Sequence, residues 1–140
     1  MPTFLKAFVA GFGSTLLFHQ GLLAVLHGAG WTARAPWNLA PVPPLGVPSV
    51  ISLAFWGGLW GIALWAVIAR SGGARQWVLA LTIGALAPSL VAWFVVMPLK
   101  GMGPAGGFDP SILIGALLLN GAWGLGVALI MRLFRRHASG

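Results

Sequence analysis

Four long apolar runs dominate the hydrophobic pattern of the chain, separated by shorter segments rich in glycine, proline or basic residues. A helix needs about 20 consecutive, mostly apolar residues to cross the hydrocarbon core of a bilayer. The pattern therefore predicts an all-α integral membrane protein, a single domain over residues 1–140 built from two tandem helical hairpins. The four runs that reach this length are Phe4–Leu26, Ser49–Ala69, Trp77–Leu99 and Ser111–Phe134.

Proline and glycine positions indicate that one hairpin is made twice. Pro48 and Pro110 each precede a serine and an apolar run, and a proline in the first helical turn loses no hydrogen bond there. Gly11 and Gly84 occupy matching places in the first helix of each half. We therefore predict a parallel internal repeat with its symmetry axis along the membrane normal. The alternative is that small residues recur by chance in glycine-rich helices.

Small residues also predict where the helices touch. Helices in lipid associate through small residues that let their backbones approach closely. A row of small residues along one face of a helix is compatible with a compact bundle, with a homo-oligomer and with packing inside a larger membrane complex. Within the bundle, we predict contacts at Gly11, Gly57, Gly61, Gly84 and Gly124.

The composition favours lipid over water as the solvent for most of the surface. Hydrophobic residues make up 59% of the chain and charged residues 6%, whereas soluble domains average about 25% charged residues. The net charge of +7 does not indicate a nucleic-acid partner, because the charges stand at the ends of apolar runs and not on one polar face.

Basic residues are divided unequally between the two sides of the predicted membrane protein. One side holds only Arg34 and Lys100. By the positive-inside rule, the richer side is the cytoplasmic side, and it holds both termini. We expect its basic residues to lie against anionic lipid headgroups, each contributing about 1 kcal/mol. They are Lys6, Arg70, Arg75, Arg132, Arg135 and Arg136.

A few polar residues fall at one depth in the predicted helices, about 12–15 Å below the outer surface at 1.5 Å per residue. Polar groups inside membranes are rare and tend to be functional. The alternative, which we favour, is structural: His19 and Asn120 hydrogen-bond each other or a backbone carbonyl and fix the helix register. If the layer is instead a functional site, it consists of His19, Gln20, Ser89 and Asn120, with Trp56 and Trp93 as its walls.

The predicted outer loop, Gly28–Val47, is too long for a plain hairpin turn. It carries Arg34, Trp37 and Asn38, and it either lies in the headgroup layer or forms a lid over the polar layer. Asp109, the only acidic side chain, lies on the second outer loop. We predict an Arg34–Asp109 pair between the two loops, worth about 0–1 kcal/mol when exposed.

Three segments resemble a group of small four-helix bacterial inner-membrane proteins that have no assigned function. They are Phe18-His19-Gln20, Pro43-Pro44-Leu45-Gly46-Val47-Pro48 and Phe55-Trp56-Gly57-Gly58. The resemblance covers most of the chain and implies a bacterial inner membrane, but no activity. Another segment, Ala35-Pro36-Trp37, is distantly similar to a second family, the tryptophan-rich sensory proteins, which bind porphyrins. The chain departs from them in its four spans and its lack of tyrosine.

No reaction-specific motif is present, and an enzyme is the class that we least expect, because His19 is the only embedded titratable group of the usual catalytic types. We predict a non-catalytic bundle that packs in an oligomer or as an accessory subunit. The alternatives are a small carrier or pore at the His19–Asn120 layer and a haem or porphyrin binder. No cofactor or metal is predicted, since His19 and His27 lie about 12 Å apart on one helix and cannot share an ion.

The unequal basic charge leads to a first prediction, on topology. Single cysteines at Ser71 and Ser139 are expected to resist an impermeant thiol reagent in intact cells, whereas a cysteine at Ala40 is labelled. The measurement is labelling before and after the membrane is permeabilised. Labelling at Ser71 with none at Ala40 would reverse the orientation.

Overall fold

The computed structural model describes every residue from 1 to 140, and four long helices dominate it. They are α1 (Thr3–Gly28), α2 (Ser49–Ile68), α3 (Gly73–Leu99) and α4 (Pro110–Ala138). Each is long and apolar enough to cross a membrane, which confirms an all-α, multi-pass membrane protein. At the arginine-rich end, α3 and α4 extend beyond the predicted bounds, because hydropathy marks only the apolar part of a helix and polar residues continue it.

The four helices form two hairpins placed side by side. α2 packs along α1, and α3 packs along α4. α1 and α4 meet at the centre, whereas α1 and α3 do not touch and α2 meets α3 only over a short length. We call the end with both termini the terminal end, and the end with the α1–α2 connection the loop end.

Two helices contain a π turn, in which backbone hydrogen bonds run between residues five apart. The turn in α1 spans Thr15–His19, and the turn in α3 spans Ala92–Val96. Pro88 also lies inside α3. π turns are frequent at functional sites because they alter the local hydrogen-bond ladder. The hydropathy pattern does not predict either turn.

The contact between α1 and α2 is made of backbone against backbone. A Cβ atom added at Gly61 would lie 2.6 Å from the Ala7 carbonyl oxygen and 2.8 Å from the Gly11 Cα. A Cβ atom at Gly11 would in turn meet the Gly57 carbonyl. Glycine therefore permits the close approach that stabilises helix pairs in lipid.

The second hairpin packs in the same manner. A Cβ atom at Gly84 of α3 would lie 2.8 Å from the Gly124 Cα of α4, and one at Gly124 would meet the Ala80 carbonyl. Each of the five glycines predicted at helix contacts therefore lies where two helices touch.

Ser14 and Trp123 join the two hairpins across the α1–α4 contact. The Ser14 hydroxyl donates to the Trp123 carbonyl at 2.6 Å, and the Trp123 indole donates to the Gly11 carbonyl at 3.1 Å. Trp123 is only 3% exposed. Its hydrogen bond removes a polar N–H from an otherwise apolar core, where an unpaired donor is costly.

A buried hydrogen-bond network closes the terminal end. Arg132 donates to the Gln76 side-chain oxygen and to the Gly73 carbonyl, both at 3.0 Å. Gln76 is 1% exposed and donates to the Ile68 carbonyl at 3.0 Å. The network ties the end of α2 to the start of α3 and to α4. Gly73 and Gln76 precede Trp77, where the predicted third helix begins, so the prediction did not include them in a helix.

Two of the arginines expected at lipid headgroups are thus used inside the chain. Arg135 donates to the Ala69 carbonyl at 3.1 Å. The guanidinium of Arg132 lies 4.5 Å from the centre of the Trp77 ring, and that of Arg135 lies 4.9 Å from the centre of the Trp65 ring. Such cation–π contacts are worth about 0.5–2 kcal/mol, so both arginines stabilise the fold whatever lipid surrounds them.

The glycine contact leads to a second prediction, in which two matched substitutions have opposite effects. Gly61→Ala places a methyl group against the backbone of α1, and we expect overpacking to destabilise the bundle by about 1–3 kcal/mol. Gly21→Ala is the control: nothing lies within 4 Å of its added Cβ, and helical alanine is favoured over glycine by about 0.5–1 kcal/mol. Unfolding midpoints in detergent measure both. Equal effects would contradict the glycine contact.

Candidate functional site

The connection between α1 and α2 folds back on itself as a small ribbon. Its strands β1 (Pro41–Val42) and β2 (Val47–Pro48) pair antiparallel. The turn between them contains a cis Pro43–Pro44 peptide bond, and Gly46 has a positive φ of 72°, a conformation that glycine adopts without strain. The proline-dense segment is therefore an ordered ribbon at the loop end.

The ribbon and the residues before it are hydrogen-bonded to the start of α2. The backbone N–H of Ser49 donates to the Ala40 carbonyl, and that of Val50 donates to the Asn38 carbonyl, both at 2.9 Å. The first N–H groups of a helix have no partner within the helix. The loop supplies these partners, and this fixes Asn38 beside α2.

Trp37 connects the loop to the π turn of α1. The N–H of Gln20 would bond the Leu16 carbonyl in a regular α-helix, but here it bonds the carbonyls of Thr15 and Leu17. The Leu16 carbonyl instead accepts the Trp37 indole N–H at 2.8 Å. The irregular turn thus creates the acceptor that holds the loop.

Trp37 makes a second hydrogen bond and has a strained backbone. Its backbone N–H donates to the Gln20 side-chain oxygen at 2.8 Å, while its φ is 49°. A non-glycine residue in this region costs about 1–3 kcal/mol, and such strain clusters at functional sites. The two hydrogen bonds of Trp37 offset that cost.

His19 and Gln20 form a buried pair beneath the loop. The Gln20 side-chain nitrogen lies 3.0 Å from Nδ1 of His19. Because the Gln20 oxygen already accepts from Trp37, its NH₂ group is the donor and His19 Nδ1 the acceptor. His19 is 7% exposed and Gln20 is 2% exposed. This chain of hydrogen bonds links the loop, Gln20 and the imidazole.

A small polar cavity lies between the loop and the ends of α1 and α2. Its volume is about 40 Å³, and one water molecule needs about 10–15 Å³ on this measure, so it has room for about three waters. We call it the loop pocket. It is lined by Gln20, Arg34, Ala35, Asn38, Ser49, Val50 and Leu53.

Arg34 is the charged group of the loop pocket. Part of its surface remains exposed, but the protein atoms around its guanidinium remove water and lower its pKa from the ordinary value. The ordinary arginine pKa is so high that the group stays charged. The loop pocket is therefore positive.

The predicted Arg34–Asp109 pair is not formed. Asp109 caps the start of α4, where it accepts the Ser111 backbone N–H at 2.9 Å and the Ser111 hydroxyl at 2.8 Å. These hydrogen bonds lower the pKa of the Asp109 carboxyl. An aspartate that directly precedes a helix satisfies the free N–H groups of its first turn, and this local role takes the only carboxylate side chain away from Arg34.

The predicted polar layer separates into two unconnected groups. The Asn120 side chain donates to the Ser89 hydroxyl at 2.9 Å, and this bond joins α4 to α3. His19 bonds Gln20 instead. The proposed hydrogen bond between His19 and Asn120 is therefore absent. A shared depth did not bring these residues together, because His19 bonds Gln20 of its own helix whereas Asn120 reaches Ser89 of α3.

The two tryptophans expected to wall that layer have different surroundings. Trp56 is 57% exposed and stacks edge-on against Phe55, so it faces the surroundings of the bundle and does not wall a site. Trp93 lies in the π turn of α3, and its Nε1 is buried without a hydrogen-bond partner. Neither ring lines the loop pocket.

The histidines do not form a ligand cluster for a metal. No three His, Cys, Asp or Glu side chains come together. The Nδ1 atoms of His19 and His27 are taken by Gln20 and by the Thr32 carbonyl, respectively. Haem ligation by one of these histidines would thus depend on its Nε2 atom.

Comparison of the chain with protein-family models, with curated proteins and with solved structures returns no match. The interpretation of the site therefore depends on its geometry.

Two parts of the site had little or no signal in the sequence. The Leu16 carbonyl is a backbone group in an apolar run, and no side-chain pattern marks it. Ser49 was recognised only as a residue at the start of a helix. Arg34, Trp37 and Asn38 were expected in the outer loop, and the loop pocket brings Arg34 and Asn38 together with Gln20.

The separation of the polar residues leads to a third prediction, a pair of double-mutant cycles. Ser89→Ala and Asn120→Ala each remove the same hydrogen bond, so their effects on the free energy of unfolding are expected to be non-additive. His19→Ala and Asn120→Ala share no bond and should add to within about 0.5 kcal/mol. Stability in detergent is the measurement. Non-additivity in the second cycle would restore a His19–Asn120 contact.

Proposed function

We propose that the chain is a non-catalytic bundle of a bacterial inner membrane that binds a small polar ligand under its loop. Both termini lie in the cytoplasm in this proposal, so the loop pocket faces outward. The observation that carries the proposal is the attachment of the loop to α1 through Trp37, which builds a polar pocket from three separate segments. Small-ligand sites combine concave shape with a few convergent polar groups.

The chemistry of the loop pocket supports binding over catalysis. Its lining contains no carboxylate, thiol or imidazole, the groups that most often act as general acids, bases or nucleophiles. The nearest imidazole, His19, has its Nδ1 atom engaged by Gln20. What remains is a set of hydrogen-bond donors and one positive charge.

The interior of the bundle favours ligand binding at the loop end over transport of a solute through the bundle. Most polar side chains between the two ends are paired with one another or with backbone, as in the Asn120–Ser89 and Ser14–Trp123 bonds, and the Trp93 indole is the exception. Close glycine contacts fill the α1–α2 and α3–α4 interfaces. These features favour a ligand that binds and leaves at the loop end.

A second candidate function is that of an accessory subunit. An apolar groove of about 160 Å³ opens between α2 and α3 and includes Trp60, Ala63, Ala87 and Pro88 among its lining residues. α3 is the least buried of the four helices, at 17% of its apolar window. A transmembrane helix of a larger assembly fits this groove, because small residues allow close approach. The two functions use opposite parts of the surface and are compatible.

The binding function leads to a fourth prediction. Small carboxylates, phosphates, sugars and amides are titrated into the protein in detergent, while NMR follows the side-chain amides of Gln20 and Asn38. We expect at least one class to shift these signals. Trp37→Phe, which removes the indole hydrogen bond, should weaken that binding roughly two- to tenfold.

Trp31→Phe is the matched control, since Trp31 lies on the same loop and its indole forms no hydrogen bond within the chain. It should leave the affinity unchanged. The proposal is contradicted if no class of solute shifts the amides, or if both tryptophan variants weaken binding equally.

A further inference from the structure

We infer that the loop pocket binds an oxyanion, a carboxylate or a phosphate group, held by Arg34 together with Asn38 and Ser49. The inference rests on the proposed binding function and specifies the chemistry of its ligand. It follows from which donors in the loop pocket are used inside the chain and which are not.

Three donor groups of the loop pocket have no partner within the chain. The Asn38 side-chain oxygen accepts the Ala40 backbone N–H at 2.9 Å, which leaves its NH₂ group free. The Arg34 backbone N–H bonds the Thr32 hydroxyl, whereas its guanidinium forms no hydrogen bond. The Ser49 hydroxyl is also unused, although its backbone N–H is bonded. A ligand in this pocket therefore meets donors from the loop and from the start of α2.

The side-chain amide oxygens of the loop pocket are already used inside the chain. The Gln20 oxygen is occupied by Trp37, and the carbonyls of Asn38 and Ala40 accept from the start of α2. A ligand that itself supplies acceptors is thus favoured over a donor such as an amine. The positive Arg34 would also repel an amine.

Charge balance points to the same class of ligand. The chain has one acidic side chain against eight Lys and Arg, and that acid is used at the start of α4. Arg34 consequently has no anionic partner in the protein, and the residue is exposed. An oxyanion supplies both the charge and the acceptors that Arg34 lacks.

The shape of the loop pocket limits how much of the ligand enters. A volume of about 40 Å³ admits a headgroup in place of about three waters, while the rest of the ligand extends outside. Arginine binds carboxylate and phosphate through two parallel N–H···O bonds. A free solute and a lipid headgroup both present such a group at the membrane surface.

The test uses the full chain in maltoside micelles, which carry no phosphate. Inorganic phosphate, acetate and soluble dihexanoyl phosphatidylglycerol are titrated separately, and NMR follows the Asn38 side-chain amide. Binding of phosphate or acetate identifies a free solute as the source. Binding of the short-chain lipid alone identifies a headgroup.

The variants are Arg34→Gln, which removes the charge, and Asn38→Asp, which keeps the acceptor for Ala40 and replaces the donor by a negative charge. Each should weaken oxyanion binding about tenfold or more. Lys100→Gln is the matched control, because Lys100 is an exposed basic residue at the same end and outside the loop pocket. It should change the affinity by less than about twofold. Arg34→Lys keeps the charge without the fork and should give an intermediate affinity.

Circular dichroism and thermal midpoints of each variant establish that it is folded, and a folded Arg34→Gln that binds as tightly as the wild type overturns the inference. Equal weakening by Lys100→Gln also overturns it, since the effect would then be one of general positive charge. Neutral solutes that shift the Asn38 amide while oxyanions do not would overturn the inference and leave the binding function standing. If no solute or lipid shifts the amide, both are wrong.

Discussion

The hydrocarbon core of a bilayer cannot accept or donate a hydrogen bond, so each polar group inside this bundle has to find its partner within the chain. This constraint accounts for most of the unusual contacts. The Trp123 indole of α4 reaches the Gly11 carbonyl of α1. The Leu16 carbonyl, released by the π turn, is met by the Trp37 indole. In each case a bond made to satisfy a single group also joins two segments that are far apart in sequence.

The loop pocket differs from the bundle interior in that several of its side-chain donors have no partner within the chain. Groups in the bundle interior are paired with near completeness, and the Trp93 indole is the single buried side-chain donor left without a partner. Arg34, Asn38 and Ser49 nevertheless leave donors free around one small cavity. A chain with few polar residues has placed three of them at one point with side-chain donors that have no partner in the fold. Unused donors at such a place are better explained by a ligand than by stability.

Much of the fold could be predicted from the sequence because hydropathy reports directly on the solvent. The four helices follow from apolar length, and their grouping in two hairpins follows from the repeated proline and glycine positions. The rotation of each helix about its axis does not follow, which is why His19 and Asn120 were placed together although they bond different neighbours. Residues near helix ends were judged by charge alone. Arg132 and Asp109 therefore received surface roles, whereas both bond nearby backbone.

The central claim is that Trp37 holds the loop on the π turn of α1 and thereby builds the loop pocket. Hydrogen exchange of the tryptophan indole N–H groups, followed by NMR in detergent, tests it most directly. Trp37 as a whole residue is 46% exposed and Trp31 is 41% exposed, so exposure alone predicts similar exchange rates for the two indole N–H groups. The account predicts that the Trp37 N–H exchanges far more slowly, because it is bonded to the Leu16 carbonyl. Equal exchange rates for the two indoles would contradict the account.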